Sequence, residues 1–307
     1  LVDNEDIVCG VLAGGPRGCE WDEVAEDAAA AVGSAYDSMT FTKKQLESRR
    51  GKFASCTAGY SYGGGREIVG NVRINGKKNK RAIETLLSQK SIRRIVGFTH
   101  DMFKTFAHKP YMQYKETAEA LQARHPYLRP TSHKTPFAAT TFNMGPHSFS
   151  PPHVDEGNNA CGWCVVTALG PFDPDKGGHL VLWNMKLIIR FPPGASILFP
   201  SALVTHSNIP ILPHERRYSM VQYSAGGLFR WRYNGFQSDK AFLASATSSQ
   251  LKKRERDRQL RWKSGLDNFS RWEDIQNGNW KGDQEDGGPS NADVDARPTK
   301  RFKYLSQ

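Results

Sequence analysis

The pattern that most constrains the fold of this chain is a histidine and an aspartate two residues apart, His153 and Asp155, with a further histidine, His206, much later in the sequence. Side chains two positions apart on a β-strand point to the same face of the sheet. Two histidines and one carboxylate are the ligand set that holds non-haem Fe(II) while leaving coordination positions open. We therefore predict that His153, Asp155 and His206 are the metal ligands and the catalytic centre, and that strands bring them together.

An arginine pair, Arg216 and Arg217, follows His206 and precedes an apolar segment. Alternation along a strand puts Arg217 and Ser219 on one face and Arg216 on the other. A guanidinium can bind a carboxylate through two parallel hydrogen bonds, and a nearby hydroxyl can add a third. We therefore expect Arg217 and Ser219 to bind the far carboxylate of a 2-oxoglutarate co-substrate. The alternative is that Arg217 is a surface charge, because a β-bulge would break the alternation.

Short apolar runs separated by Gly, Pro and Asn fill the middle of the chain and are typical of strands. Their number and spacing predict an α+β fold with a double-stranded β-helix, or jelly-roll, at its core and helices covering one sheet. Helix-like apolar spacing is found before these strands and a basic helical segment after them. The predicted strands are 137–142, 163–169, 179–183, 186–191, 196–199 and 218–223, and the predicted helices are 22–36, 40–50, 80–97, 98–124 and 238–275.

These patterns divide the chain into four parts. An N-terminal helical region covers 1–57, and the catalytic domain with its N-terminal helices covers 58–235. A basic helical region covers 236–276, and the polar segment 277–307 is predicted to be disordered. Within the catalytic part, the Gly- and Tyr-rich segment 58–66 is predicted to be a loop.

The charge balance indicates the class of binding partner, and the cysteines indicate the redox compartment. Lys and Arg number 42 against 31 Asp and Glu, a net charge of +11, which favours a polyanion, either nucleic acid or an anionic membrane. No apolar run reaches the roughly 18 residues of a membrane span, so we expect no membrane insertion. Five cysteines fit a reducing compartment. Cys161 and Cys164 are interpreted as strand thiols, since no second ligand pair or following helix supports a zinc or redox site.

Several segments together resemble the catalytic domain of TET/JBP-type dioxygenases, and most closely the fungal members of that group. The resemblance covers roughly residues 50–235, and its most specific part is the His-x-Asp, His and Arg-x-Ser frame. It implies Fe(II)- and 2-oxoglutarate-dependent oxidation of 5-methylcytosine in duplex DNA to the hydroxymethyl, formyl and carboxyl forms, with N6-methyladenine left open as the base. The segments are His153–Asn159, Gly177–Leu180, Phe191–Gly194, His206–Asn208 and Arg217–Ser219.

The resemblance also implies which residues contact the target base. In TET-like enzymes a polar side chain three residues after the ligand aspartate contacts the target base, and Asn158 holds that position here. Its alternative role is that of a turn-forming asparagine. Animal and protist members carry a base-contacting histidine where this chain has Ala225, which leaves the preferred base open.

A methyl group inside a duplex can reach an enclosed iron only if its nucleotide flips out of the stack. The segment with Tyr62 and Arg66 is a candidate for filling the resulting gap and anchoring the strand, and Asn143 is a further candidate substrate contact. Phosphate anchors are expected among the basic clusters, although charge runs are most often solvated faces. These clusters are Arg66, Arg73, Lys77, Lys78, Lys80 and Arg81, and Lys252, Lys253, Arg254, Arg256, Arg258 and Arg261.

Methylated duplex DNA is therefore the expected partner of an enzyme that we expect to be monomeric and nuclear. Two rival hypotheses remain. A 2-oxoglutarate-dependent hydroxylase of a protein side chain would use the same iron and co-substrate site. A non-catalytic DNA-binding module is the other, and the intact ligand set of His153, Asp155 and His206 counts against it.

Overall fold

The computed structural model describes residues 1–16, 20–47 and 51–278, so that nearly all of the predicted tail 277–307 lies outside the described residues. In these ranges the chain forms ten strands: β1 (Val11–Ala13), β2 (Ser55–Ser61), β3 (Gly70–Asn71), β4 (Ala139–Asn143), β5 (Cys164–Leu169), β6 (Leu180–Leu182), β7 (Leu187–Ile189), β8 (Ser196–Phe199), β9 (His206–Asn208) and β10 (Tyr218–Tyr223). It also forms nine α-helices: α1 (Trp21–Ser38), α2 (Lys43–Leu46), α3 (Lys77–Ser88), α4 (Lys90–Phe106), α5 (His108–Arg124), α6 (Gly226–Tyr233), α7 (Asp239–Ser245), α8 (Ser248–Leu266) and α9 (Trp272–Gln276).

The strands form two antiparallel sheets that pack face to face. The larger sheet has seven strands in the order β1-β8-β5-β10-β4-β2-β3, and the smaller one has three in the order β7-β6-β9. Ile197 and Phe199 of β8 share one buried cluster with Leu180 and Leu182 of β6, and this apolar layer joins the sheets. The arrangement confirms the predicted α+β fold with a double-stranded β-helix core and covering helices.

A layer of helices covers the other face of the large sheet. Ile92 and Ile95 belong to an apolar stripe along α4, and they share a buried cluster with Phe142 of β4 and Met220 of β10. Residues of α1 and α3 complete this cluster. Because side chains alternate along a strand, Met220 faces the helices while Ser219 faces the small sheet. The space between the sheets therefore lies on the side away from α1, α3 and α4.

The helices before the sheets differ in number from the prediction. Instead of two helices over 80–97 and 98–124, the chain forms three, because Gln89 and Ala107 leave the helical region with ψ angles of 138° and 53°. The apolar periodicity continues across both breaks, so it carries no signal for them. The other predicted helices correspond to α1 for 22–36, to the short α2 for 40–50, of which residues 48–50 lie outside the described ranges, and to α7, α8 and α9 for 238–275.

The strand predictions were accurate within the core but incomplete. The limits of 196–199 and 218–223 are confirmed to the residue, whereas the predicted loop 58–66 is wrong in its first part, because residues 55–61 form β2. Gly59, with φ +102°, allows β2 to approach the chain at Ala138 so closely that a β-carbon at position 59 would overlap the Ala138 carbonyl. The glycine that indicated a loop is in fact required by strand pairing.

The two ends of the described chain lie side by side. The backbone N–H of Val8 donates to Ser270 O at 2.9 Å, and that of Trp272 donates to Asp6 O at 2.9 Å. Strand β1 also pairs with β8 of the large sheet, so the region 1–57, expected to be helical, contributes strands as well. The division of the chain into the parts 1–57, 58–235, 236–276 and 277–307 stays a prediction. Among the described residues, no helix combines the length and the apolar character that crossing a membrane requires.

Candidate active site

The structure brings the three predicted metal ligands together between the sheets. One potential ligand atom from each of His153, Asp155 and His206 lies within 4.8 Å of the other two. His153 Nε2 is 3.8 Å from Asp155 Oδ1, and His206 Nε2 is 4.0 Å from Asp155 Oδ2. A pair of backbone hydrogen bonds of 3.0 and 2.9 Å joins His153 to His206. Two imidazoles and a carboxylate facing one point fit a metal ion such as Fe(II).

Backbone carbonyls fix both histidine rings for metal binding. His153 Nδ1 lies 2.8 Å from Pro151 O, and His206 Nδ1 lies 2.8 Å from Val204 O. A carbonyl can only accept, so each Nδ1 carries the proton and each Nε2 keeps its lone pair for a metal. The ring of Phe199 packs edge-on against His206 with centroids 4.9 Å apart. The ligands are therefore oriented before any metal binds.

Asn158 supports the ligand aspartate. Its Nδ2 donates to Ser201 Oγ at 3.0 Å and, over a longer distance of 3.4 Å, to Asp155 Oδ2. Its backbone N–H donates to Asp155 O at 2.8 Å and closes a turn. The turn role of Asn158 thus describes its backbone and its Nδ2 is bonded within the protein, while its contact with the target base stays a prediction. The backbone of Asn158 also forms a bridge with Ala225.

Arg217 is the most unusual group of the site, because it is a buried cation with an incomplete set of partners. Its side chain is 1% exposed, its Nη1 donates to Ser148 O at 2.7 Å, and its Nε and Nη2 have no hydrogen-bond partner. Burial lowers the pKa of Arg217 to about 10. Nε and Nη2 form one edge of the guanidinium, the edge that binds a carboxylate with two parallel hydrogen bonds. This edge fits the far carboxylate of 2-oxoglutarate.

Ser219 and Asn143 stand next to each other on paired strands. They are opposite one another in the register of β10 and β4, and Asn143 Nδ2 donates to Ser219 Oγ at 2.8 Å. Because that bond uses a lone pair of the hydroxyl, the O–H of Ser219 is left to donate to an anion. Asn143 thus orients Ser219, which differs from the expected contact with substrate. Arg216 is exposed while Arg217 is buried, as strand alternation predicts.

The aromatic and basic candidates of the 58–66 segment lie in different environments. Tyr62 is 7% exposed and packs against Trp231 with ring centroids 4.6 Å apart, so in this conformation it cannot fill a gap in a base stack. Arg66 is exposed, and its Nη1 lies 3.4 Å from Gly70 O and 3.3 Å from Asn71 O. The expectation for Tyr62 is corrected, since alternation along β2 continues to its position.

The basic clusters are also separated by the fold. Lys77, Lys78, Lys80 and Arg81 lie on α3, whose buried residues Ile83 and Leu86 pack on the sheet face away from the metal ligands. The expectation that this cluster anchors the DNA strand at the catalytic centre is therefore not supported by its position. In contrast, the C-terminal end of α8 lies beside the loop that follows Asp155, because a β-carbon at Gly265 would overlap the Cys161 sulfur.

Sequence reasoning missed two contributors to the site, Ser148 and Ser201. Ser148 O accepts from Arg217 Nη1 at 2.7 Å, and its Oγ donates to Arg217 O at 2.8 Å. Ser201 O accepts from the Asp155 N–H at 2.9 Å, and its Oγ accepts from Asn158 Nδ2 at 3.0 Å. These contacts join residues that are distant in sequence, so neither role could be read from the sequence. Cys161 and Cys164 form no disulfide, and only Cys164 lies on a strand. Within the described ranges, His153, Asp155 and His206 form the only group suited to a metal ion.

Comparison with known proteins gives fold likenesses without sequence matches. Neither the protein-family models nor the curated proteins yield a match to the chain. Solved structures similar to it include NgTET1 in complex with 5mC DNA, with 14% identity, coverage of 73% of this chain and 75% of that chain, and a TM-score of 0.46. An oxidoreductase of the 2OG-Fe(II) oxygenase family from Burkholderia pseudomallei shares 18% identity over 70% of this chain and 84% of that chain, with a TM-score of 0.38.

A prolyl-4-hydroxylase from Pseudomonas putida is a further similar structure, with 12% identity, coverage of 69% of this chain and 91% of that chain, and a TM-score of 0.36. At such identities and TM-scores, the question of substrate rests on the residues of this chain. Its jelly-roll core, its ligands His153, Asp155 and His206 and the open carboxylate-binding edge of Arg217 are together the equipment of an Fe(II)- and 2-oxoglutarate-dependent oxygenase.

Proposed function

We propose that this chain is an Fe(II)- and 2-oxoglutarate-dependent DNA dioxygenase that oxidises the methyl group of 5-methylcytosine in duplex DNA, and N6-methyladenine as a second base. The observation that carries the proposal is that the C-terminal end of a basic helix, α8, lies against Cys161 of the loop that follows the ligand Asp155. The resemblance of the segments around His153, His206 and Arg217 to TET/JBP-type enzymes supports it, as does the net charge of +11.

The inner side of α8 is anchored to the protein by Arg254. Its guanidinium donates to Asn234 Oδ1 and to Asp239 Oδ1, both at 2.8 Å, and lies 5.2 Å from the centroid of the Phe242 ring. At the other end of the helix, Lys109 Nζ donates to Asp267 O at 3.0 Å. These contacts fix the helix near both of its ends, so its outer charges hold a defined position on the protein.

The outer side of α8 offers cations without acidic partners. Lys252, Arg256 and Lys263 are exposed, and none of them forms an ion pair with an acid among the described residues. Trp262 is 64% exposed on the same helix. Cations spaced along a helix can contact successive phosphates, and each phosphate contact releases counterions and makes binding depend on salt. An exposed indole can stack on an unpaired base. This combination suits nucleic acid better than a small acidic substrate.

The chemistry of the proposed reaction is divided between the bound groups and the chain. When bound, Fe(II), 2-oxoglutarate and O₂ supply the oxidation of a C–H bond to an alcohol, with loss of CO₂ from the co-substrate, which becomes succinate. His153, Asp155 and His206 hold the iron, while Arg217 and Ser219 orient the co-substrate.

The support and the surroundings of these ligands serve the same reaction. Asn158 donates to the carboxylate of Asp155, and Ser201 accepts from the Asn158 amide and from the Asp155 N–H. Phe199 contributes an apolar wall beside His206. Because the ligands lie between the sheets, the target nucleotide has to leave the base stack to reach them.

The side chains of Ala225 and Asn158 bear on which methylated base is oxidised. Ala225, which replaces the histidine of the animal and protist members, has no group that can hydrogen-bond to a base, and Nδ2 of Asn158 is already bonded to Ser201 and Asp155. Neither side chain therefore offers an unused hydrogen-bond donor to a base, and we propose that both methylated bases are turned over. A nuclear location is the corresponding proposal for an enzyme acting on genomic DNA.

The test is mass spectrometry of nucleosides from duplex DNA that carries either 5-methylcytosine or N6-methyladenine, after incubation with protein, Fe(II), 2-oxoglutarate and O₂. We expect oxidised bases with the parent protein and none with Asp155→Ala. If 2-oxoglutarate is consumed while both bases stay intact even on saturating DNA, the substrate is a protein side chain or another molecule. If DNA binds and no 2-oxoglutarate is consumed, the chain is a non-catalytic DNA-binding module.

A further inference from the structure

Asn208 occupies a position on β9 that points into the same space as the metal ligand His206. The two residues are separated by one position, so their side chains leave the strand on the same face. In the register of the small sheet, His206 lies opposite Leu182 and Asn208 lies opposite Leu180. Both leucines are buried in the apolar layer between the sheets, at 0% and 2% exposure. The side chain of Asn208 is therefore directed between the sheets.

The amide nitrogen of Asn208 is enclosed there and has no hydrogen-bond partner. A buried donor that has lost its water costs about 1–3 kcal/mol if nothing replaces it, so such donors are rare in native proteins. Arg217 contributes two further donors of this kind, Nε and Nη2. Gln222 carries an enclosed acceptor, Oε1, but its side chain donates to Thr99 of α4 and so lies on the helical side of the sheet.

Asn208 and Arg217 are attached to the same short segment. The backbone N–H of Asn208 donates to Ser150 O at 3.1 Å, and Arg217 Nη1 donates to Ser148 O at 2.7 Å. These carbonyls are two residues apart, which corresponds to at most about 7 Å along the chain. Phe172 lies against the Arg217 guanidinium at 5.8 Å and belongs to the same buried cluster as Leu180. Asn208 and Arg217 are thus both attached to the segment 148–150, and both lie beside the cluster that contains Phe172 and Leu180.

We propose that Asn208 is a specificity-determining residue that binds the far carboxylate of the 2-oxo acid together with Arg217 and Ser219, an assignment that rests on the proposed oxygenase function. A carboxylate has about four sites that accept hydrogen bonds. Nε and Nη2 of Arg217, the O–H of Ser219 and Nδ2 of Asn208 supply four donors. The pocket therefore selects a 2-oxo acid with a second carboxylate, and Asn208 contributes nothing to one that lacks it.

The test is calorimetric binding of two ligands, 2-oxoglutarate and 2-oxobutyrate, to protein loaded with Mn(II), which replaces Fe(II) without turnover. Asn208→Leu keeps the size of the side chain and removes the donor. We expect 2-oxoglutarate to bind this variant about ten-fold or more weakly, with unchanged affinities for 2-oxobutyrate and for Mn(II). Ser207→Ala, on the same strand but the opposite face, is the matched control and should bind both ligands as the parent does.

A second variant, Asn208→Asp, keeps the shape and places a negative charge against the ligand carboxylate. We expect its affinity for 2-oxoglutarate to fall about 100-fold or more, because like charges in an enclosed site repel strongly, while 2-oxobutyrate is little affected. The proposal is overturned if Asn208→Leu binds 2-oxoglutarate within about two-fold of the parent, or if both variants lose the two ligands equally. If the parent itself binds no 2-oxoglutarate, the proposed function fails, and this assignment with it.

Discussion

The interior of the candidate site and its outer rim are built in opposite ways. The interior lies between two sheets, and its polar groups, among them Asp155 and Arg217, are enclosed and held by specific hydrogen bonds. The proposed rim is α8, whose cations Lys252, Arg256 and Lys263 are exposed and form no ion pair among the described residues. In the interior the position of each atom decides the chemistry, whereas at the rim only the sum and the spacing of the charges matter.

Because of this difference, the two regions identify their ligands with different precision. A buried donor has to be paired, so the unpartnered Nε and Nη2 of Arg217 specify the shape and the charge of what binds there. An exposed lysine is hydrated by water and indicates only that its binding partner is negatively charged. The interior therefore identifies its ligands closely, while the rim identifies only a polyanion. Substitutions in the two regions should accordingly differ in size of effect, from the largest at a metal ligand to the smallest at the rim.

Replacing Asp155 by alanine should have the largest effect. The change removes one of three ligands, and we expect metal affinity to fall by more than about 100-fold, since even residues that only support a ligand contribute about 10–100-fold. Oxidation of methylated DNA should be abolished. Calorimetry with Mn(II) measures the first effect, and Glu156→Ala, at the exposed neighbouring position, is the control. Retention of metal by Asp155→Ala would show that the ion binds elsewhere.

Replacing Arg217 by leucine should abolish the binding of 2-oxoglutarate without lowering the stability of the fold by much. We expect binding of 2-oxoglutarate to be lost, because the carboxylate loses its charged partner. The free energy of unfolding of the ligand-free protein should stay within about 1 kcal/mol of the parent or rise, because a buried charge without a counterion costs energy that an apolar side chain avoids.

Chemical denaturation of the ligand-free protein checks that stability, and Arg216→Leu, at the exposed neighbouring position, should change neither quantity. The low pKa of Arg217, about 10 because of burial, agrees with an energetic cost of its charge in the empty pocket. A loss of about 3–5 kcal/mol on Arg217→Leu, the range for breaking a buried ion pair, would mean that the charge already has a counterion in the ligand-free protein.

Replacing Asn158 by alanine should have an intermediate effect on the metal. Because its amide supports Asp155 and Ser201, we expect metal affinity to fall about 10–100-fold. The KM for methylated DNA should not change once metal is saturating. Asn159→Ala, which removes a long hydrogen bond to Gln113, is the matched control. A raised KM for DNA with unchanged metal affinity would restore the expected role of Asn158 at the base.

Replacing Lys252, Arg256 and Lys263 of α8 together by glutamine should have the smallest effect per residue. We expect the slope of log affinity for duplex DNA against log salt to decrease by about 0.9 for each phosphate that is no longer neutralised, without change in 2-oxoglutarate binding. The same change at Lys77, Lys78 and Arg81 of α3, on the far side of the sheet, is the control and should leave the slope unaltered. Equal slopes for the two triple variants would remove α8 as the DNA-binding surface.

Residue types and spacing were enough to predict the residues at the centre of the site and the positions of the inner strands. The His-x-Asp pair, His206 and Arg217 could be selected because their chemistry requires these residue types. The predicted strand at the pair was not formed, since His153 makes only an isolated bridge with His206 and Asp155 lies outside the strands. The strands 196–199 and 218–223 could be delimited because dense apolar runs between Pro and Gly leave little choice. In contrast, β1, β2, β3 and β9 were missed, because short or Gly-containing strands form only where a neighbouring strand pairs with them.

The roles of Tyr62, Asn143 and Asn158 depended on contacts that the sequence does not encode locally. Tyr62 meets Trp231, and Asn143 meets Ser219, across 169 and 76 residues of chain, respectively. Asn158 meets Ser201 through a loop that only the folded sheets bring close. Each of these side chains was expected to be free for substrate, and each is instead bonded or packed within the protein.

The sequence by itself determined the ligand set, the choice of Arg217 over Arg216 and the jelly-roll core, because these follow from residue chemistry and from the period of a strand. Tertiary structure alone decided which polar atoms are satisfied and which are left open. The amide of Asn158 found partners, whereas the amide of Asn208 and one edge of Arg217 did not. The physical reason is that satisfaction of a buried polar group depends on neighbours that are distant in sequence, and only the packing of the two sheets selects those neighbours.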